Sequence, residues 1–329
     1  MDLRQITKDN FTLNLNGEDS PWHEDYLSMY SSQWKGFTTD PDLMMIPIDD
    51  HLVHRGDGAF DVMRCVRGRL YQMEEHLTRL RGSASAISIG FPPDFENIRD
   101  LIKALLVIGG EKDSLVRVIL SRGPGSFTTN PYDCPSSQLY INVVRLHSLP
   151  DKYYREGLPI ITSSIPIKKS FFANIKSCNY LQNVLMKKEA VEAGCKYSVA
   201  LDEHGFLAEG STENIGVLTK DSILKFPEFE RTLSGKTVNR VFFLAGQLVG
   251  EGLIKEAKFA KIDPEEAYEA KEIFLTGTSI GVLPVVSYDG RRIGIGSPGS
   301  VYARLSSLLW EDMTQNRELL TEIEWDSSA

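Results

Sequence analysis

The chain has 329 residues, 42% of them hydrophobic and 25% charged, the balance of a soluble globular protein long enough for two domains. Its formal net charge of -9 argues against nucleic acid or an anionic membrane as partner. Four dispersed cysteines without a CxxC pair argue against a disulfide framework. The six histidines lack metal-type spacing, so no metal is expected, and no run has signal-peptide or membrane-span character. A reducing cytoplasm fits this usage.

Residues 1–44 are polar and poorly periodic and are expected to form an N-terminal extension. A small α/β domain is expected over 45–149. Ala59 to Val66 reads as a strand, Arg67-Gly68 as a turn, Arg69 to Gln72 as its return, and Glu74 onward as a helix carrying His76 and Arg79. Asp94 to Gly109 is a second amphipathic helix through Leu101, Ile102, Leu105 and Leu106. Val116, Val118 and Leu120 alternate as one strand, and Leu139, Ile141 and Val143 as another. The glycine-rich loop between them begins at Arg122, and its spacing fits neither a P-loop nor a dinucleotide fingerprint. The polar segment 150–157 is expected to be a linker.

A larger C-terminal domain is expected over 158–329. Pro159 to Ser164 reads as its first strand, and Lys168 and Lys169 as a solvated pair. Lys176 precedes a helix that Asn179 caps and Gly194 closes, with Leu181, Val184, Leu185 and Val191 near one face. Tyr197, Val199 and Leu201 alternate as a strand, Asp202 to Gly205 turns, and Phe206 to Glu209 runs back. A lysine and a glutamate thus ride on neighbouring elements beside small or polar residues. A Schiff-base lysine needs a dry site that depresses its pKa. A pyridine nitrogen kept protonated needs a carboxylate partner. Ile215 to Val217 and Ile223 to Phe226 form a hairpin. Gly235-Lys236-Thr237 then opens a periodic helix; Glu230 stands where a P-loop needs its first glycine, so no ATPase is read. Free N–H groups at such a helix start still suit a phosphate. Glu265 to Lys271 reads as a short helix, and Ile273 to Leu275 as a strand leading into Thr276-Gly277-Thr278-Ser279. Ser300 to Met313 closes the chain as a helix.

Each of these features has a plain structural reading; their joint order does not. Gly56-Asp57-Gly58, Glu75-His76-x-x-Arg79, Ile175-Lys176-Ser177-x-Asn179-Tyr180-Leu181, Glu189-Ala190-x-x-x-Gly194, Glu209-Gly210-Ser211-x-x-Asn214, Gly235-x-Thr237 and Gly277-Thr278 together resemble the class IV aminotransferases, the fold-type IV pyridoxal phosphate enzymes. The resemblance implies a two-domain α/β (α+β) fold, like that of D-amino acid aminotransferase, and a homodimer with pyridoxal 5'-phosphate between the domains. Lys176 would hold the cofactor as an internal aldimine and carry the proton. Glu209 would face the ring nitrogen and Tyr180 the phenolic oxygen. Arg79, Lys236, Thr237 and Thr278 would hold the phosphate. Phe60, Arg122 and Ser279 would meet the substrate, with Asp61 and the loop after Arg122 on the same side. Three departures stand out: Lys236 and Val238 where isoleucine and arginine are usual, Gly216 where an aromatic is usual, and no histidine in the Arg122 loop, where D-specialists place Arg-x-His. The activity implied is transfer of an amino group between an amino acid, with an apolar, branched-chain-like side chain, and a 2-oxo acid. The alternatives are a D-amino acid aminotransferase, an aminodeoxychorismate lyase-type enzyme and, remotely, an idle cofactor-binding protein.

Overall fold

The computed structural model describes residues 20–168 and 170–325. The first half of the chain lays down strands β1 (Tyr26–Ser31), β2 (Gly36–Thr38), β3 (Gly58–Val66), β4 (Arg69–Tyr71), β5 (Ser114–Ser121) and β6 (Gln138–Arg145), with helices α1 (His51–Arg55), α2 (Met73–Ala86) and α3 (Ile98–Gly109). β3, β5 and β6 are the long central strands, paired antiparallel along their length. Alternate positions on two of them, Val116, Val118 and Leu120 with Leu139, Ile141 and Val143, are fully buried. They pack under Leu77, Leu80, Ile102 and Leu106 of α2 and α3, the period-two face of a sheet meeting the stripe of a helix.

The second half supplies α4 (Asp151–Glu156), β7 (Leu158–Thr162), α5 (Ser170–Ala173), α6 (Leu181–Glu192), β8 (Tyr197–Leu201), β9 (Leu207–Gly210), β10 (Asn214–Leu218), β11 (Ile223–Phe226), α7 (Lys236–Gly250), β12 (Glu256–Phe259), α8 (Pro264–Tyr268), β13 (Glu272–Gly277), β14 (Gly281–Tyr288), β15 (Arg291–Arg292), α9 (Ser300–Gln315) and β16 (Leu320–Glu322). The sheet runs β12-β11-β10-β13-β14-β7-β8-β9, and β9 pairs back on β10 through the single register pair Asn214 and Glu209. Six strands therefore close on themselves around Ile160, Val199, Ile215, Val217, Leu275 and Leu283. The closing seam is the tight turn from Gly210 to Glu213, and Glu209 stands at its edge. Helices α7 and α9 cover the outer face through Val241, Ala245, Leu248, Leu305 and Leu309.

Several expectations are corrected. Part of the supposed extension belongs to the first sheet: β1 pairs antiparallel with β6, and β2 with β1. The remainder of that extension, residues 1–19, lies outside the described residues, as does Lys169. The chain does not end its order at the last helix, because β16 returns to pair with β4 of the first sheet. The segment expected as a linker contains α4. Asn179 does not cap α6: Tyr180 occupies that position without a side-chain cap, and the Asn179 amide donates to the Gly56 carbonyl at 3.3 Å. The buried residues of α6 are Met186 and Ala190, whereas Leu181, Val184 and Val191 are 72%, 60% and 60% exposed. Periodicity located a stripe on this helix but could not say which stripe meets the core.

Candidate active site

The lysine segment is held between the two halves by backbone pairing. Phe60 N donates to the Lys176 carbonyl at 2.9 Å, Cys178 N donates to the Gly58 carbonyl at 2.8 Å, and Ala59 bridges Ser177. Residues 176–178 thus add a short antiparallel ladder to the start of β3. The Ser83 hydroxyl on α2 accepts from Lys176 N at 3.1 Å. This fixes the origin of a long side chain that would otherwise lose much rotamer freedom on ordering.

The side chain enters a cavity of about 580 Å³ between the two sheets. Its Nζ lies 3.0 Å from the Tyr180 hydroxyl and 4.7 Å from the centre of the Phe60 ring. Burial, reinforced by the Arg79 guanidinium, lowers the lysine to about 8. A lysine at that value is neutral for about a tenth of the time at pH 7, far more than an ordinary lysine, which suits a nucleophile and proton carrier.

One end of the cavity is an anion cradle. Arg79 is aligned by both oxygens of Asp61, Nε at 2.8 Å and Nη2 at 2.7 Å, and its Nη1 donates to the Ser234 carbonyl at 3.2 Å. Asp61 is fully buried, and His76 Nδ1 lies 2.7 Å from it. Burial alone would raise this carboxyl, but the charges and hydrogen bonds of Arg79 and His76 outweigh it and hold it well below the usual carboxylate range. Asp61, expected on the substrate side, is therefore beneath the cavity as the orienting group for Arg79. His76 meets Asp61 and does not line the main cavity. Around Arg79 gather Lys236 and Thr237 in the first turn of α7, and Gly277, Thr278 and Ser279 in the turn from β13 to β14. Gly235 precedes α7 because a Cβ there would stand 2.0 Å from the Asn214 side-chain oxygen. Thr276 also lines the cavity, and its hydroxyl is buried without a hydrogen-bond partner among the described residues.

Glu209 lines a smaller, adjoining cavity that also touches Lys176, Tyr180, Asn214 and Leu233. Leu233 N donates to one carboxylate oxygen at 2.9 Å. Burial raises this carboxyl to about 7 against that bond and the nearby lysines. Glu213, which the sequence reading passed over, is 5% exposed; it accepts from Thr212 N at 3.0 Å and from the Ser211 and Thr212 hydroxyls, stiffening the seam turn.

Of the residues singled out from sequence, Phe60, Arg79, Lys176, Tyr180, Lys236, Thr237, Thr278 and Ser279 line the main cavity, and Glu209 the adjoining one. Arg122 does neither. Its guanidinium is bound by both oxygens of Asp57, at 2.9 and 3.0 Å, and donates to the carbonyls of Ile87 and Ser88. Arg117, not singled out from sequence, does line the cavity, and its side chain makes no hydrogen bond or ion pair among the described residues. Strand alternation carried that signal: if Val116, Val118 and Leu120 face the helices, then Leu115, Arg117 and Ile119 face the opposite side. All three line the cavity.

Comparison with known proteins agrees with this architecture. The family model described as Amino-transferase class IV matches residues 58–288. The chloroplastic D-amino-acid transaminase of Arabidopsis thaliana is 39% identical over 88% of this chain and 77% of its own length. A putative branched-chain-amino-acid aminotransferase of Methanocaldococcus jannaschii is 30% identical over 79% and 88%. A branched-chain amino acid aminotransferase of T.th., solved in complex with N-(5'-phosphopyridoxyl)-L-glutamate, superposes with a TM-score of 0.81 at 26% identity, covering 91% of this chain and 99% of that one. The fold is that of the fold-type IV enzymes. The chain belongs to the class IV aminotransferases, whose members work with pyridoxal phosphate.

Proposed function

We propose that this chain binds pyridoxal 5'-phosphate at Lys176 and uses it to transfer an amino group from an amino acid to a 2-oxo acid. The observation that carries the reading is the placing of three groups about two adjoining cavities: Arg79 in the larger, the Glu209 carboxyl in the smaller, and the desolvated Lys176 amine at both. The donor set fits the cofactor. Arg79, Lys236, the start of α7 with Thr237, and the Gly277-Thr278 turn suit a phosphate, and the unpartnered Thr276 hydroxyl leaves a polar group to satisfy there. When bound, the cofactor supplies an aldehyde for the substrate amine and a protonated ring that stores the electron pair left at the substrate Cα. The neutral Lys176 amine would take the proton from the substrate Cα and carry it to the carbon that receives it. Tyr180, 3.0 Å from Nζ, orients the amine and offers its hydroxyl to the cofactor's phenolic oxygen. Glu209 holds the ring proton by its charge. The cavity's apolar lining of Leu52, Val62, Leu115, Ile119 and Ile280, with Phe60, suits an apolar side chain and excludes water from the reacting centre. Borohydride treatment of the yellow protein should fix the cofactor to the peptide containing Lys176; labelling at Lys168 instead would sink the assignment.

Arg117 replaces Arg122 as the proposed carboxylate partner. A dicarboxylic 2-oxo acid reaching Arg117 gains a charge-assisted contact, whereas Arg122 is already held by Asp57 and two backbone carbonyls and does not line the cavity. Arg117→Met is expected to raise KM for 2-oxoglutarate at least about tenfold, the loss of one such contact. Arg122→Met should instead lower the melting temperature and leave that KM near the parent's. The opposite pattern would restore Arg122 to the site.

A second reading, transamination of D-amino acids, is favoured by the similarity to the Arabidopsis D-amino-acid transaminase. Glutamate formation from 2-oxoglutarate with leucine or with D-alanine as donor separates the two. We also infer a homodimer: Leu181 and Val184 of α6 are exposed, as are Phe171 and Phe172, an apolar area that a second copy would cover. No helix among the described residues is long and apolar enough to cross a membrane. The free cysteines support a reducing compartment such as the cytoplasm.

A further inference from the structure

Lys168, expected to be a solvated lysine, is half-buried in the small cavity beside Glu209. Its Nζ lies 4.8 Å from the centre of the Tyr180 ring, on the same aromatic ring whose hydroxyl meets Lys176. The loop that presents it is anchored from both sides. Glu189 of α6 accepts hydrogen bonds from the hydroxyls of Ser163 and Ser164 and, at 3.1 Å, from Ser164 N. Ile165 and Ile167 pack on Met186, Ala200 and Ala208. A loop held at two points by buried apolar contacts and a carboxylate clamp can keep an ammonium in place against its hydration.

We propose that Lys168 is a positioning residue for Glu209: its ammonium, held against Tyr180 in the small cavity that Glu209 also lines, favours the ionised form of that carboxylate. The charged groups facing Glu209 are Lys168, Lys176 and, with opposite effect, Glu213; Leu233 N adds a hydrogen bond. Those facing Lys168 are Glu209, the Cys178 thiol and, with opposite effect, the Lys176 amine. Burial works against charge on both Lys168 and Glu209, and each favours the charged form of the other. Lys176 is a poor standing partner, because its amine is spent in binding the cofactor and moving the proton. The lasting counter-charge then falls to Lys168. This rests on the reading of the site given above.

The test is a titration of the full-length protein without added cofactor. The Glu209 carboxyl is followed by difference infrared spectroscopy against Glu209→Gln, in the parent, Lys168→Met and Lys168→Arg. Lys168→Met should raise the midpoint by about one pH unit, the scale of losing one nearby opposite charge. Lys168→Arg should restore it. In the loaded enzyme the acid limb of kcat should move upward by the same amount in Lys168→Met. A midpoint or an acid limb that Lys168→Met leaves unmoved overturns the proposal. So does a shift that Lys168→Arg fails to correct, since a loosened loop would give that. The infrared arm needs no cofactor, so its failure is separate from a failure of borohydride labelling at Lys176.

Discussion

Lys176→Ala should yield a protein that folds, binds pyridoxal phosphate weakly and turns over at least about 10⁴-fold more slowly than the parent. The substitution removes both a nucleophile and a proton carrier, and the second role alone is worth up to about that factor. The fold should survive because the segment is held by backbone pairing to Gly58 and Phe60, which alanine keeps. The side chain itself costs stability at neutral pH. Its folded value of about 8 lies below the ordinary lysine value, so the folded chain binds fewer protons than the unfolded chain between about 8 and 10.5. Stability from this group therefore rises with pH through that window and is lost below it. A melting midpoint for Lys176→Ala within a few degrees of the parent at pH 7 is the expected control. The same value sets the pH dependence of labelling: borohydride fixation should have its midpoint near pH 8 and level off about one unit above it. Fixation still climbing at pH 10 would show an ordinary, exposed lysine.

Glu209→Gln is expected to slow turnover at least about a hundredfold while making the chain more stable. The rate loss is that of removing one preorganised charge from the point where it acts. The stability gain follows from the raised carboxyl. The folded protein holds the proton up to about pH 7, whereas the unfolded chain releases it near 4.5. Stability therefore falls as pH rises between those values, by up to about 3 kcal/mol once pH 7 is passed. Glutamine carries no such penalty, so the gain in urea midpoint should be present at pH 8 and absent at pH 4. A variant both slow and less stable at pH 8 would mean that the ionised carboxylate holds the fold together. An unchanged rate would mean that another residue meets the ring nitrogen.

The two effects point in opposite directions for one reason. A site that holds an ammonium and a carboxylate in a dry cavity strains the empty chain and repays it only on binding a partner that satisfies both. Asp61 and Arg79 avoid that strain. There the ions face each other in bidentate contact, so the carboxyl falls below its usual range where Glu209 rises above it.

The order of motifs along the chain determined the family and nominated the residues that gather in the cavity, because each motif contains its own local device. Lys176 precedes a helix, Glu209 ends a short strand, and Thr237 opens a helix whose first N–H groups are free. The alternation of Val116, Val118 and Leu120 likewise identified a strand and its buried face without help. What the linear chain could not supply was anything set by a contact across the fold. Arg117 lies within one strand and Arg122 just beyond its end; Asp57, 65 positions away from Arg122, decides that one is a structural ion while the other faces the cavity. Strands β1 and β16 carry no strong pattern of their own and exist because β6 and β4 leave edges to be paired. The apolar stripe of α6 faces outward because the core beneath needs only Met186 and Ala190. Lys168 and Lys169 are indistinguishable by composition; the clamp of Glu189 on Ser163 and Ser164, with the seat of Ile165 and Ile167, is what brings Lys168 to Glu209. Local devices are legible in sequence because their energy comes from neighbours in the chain. The selection among equivalent charges waits for the tertiary structure, because it depends on which of them finds a counter-ion at a distance that only folding creates.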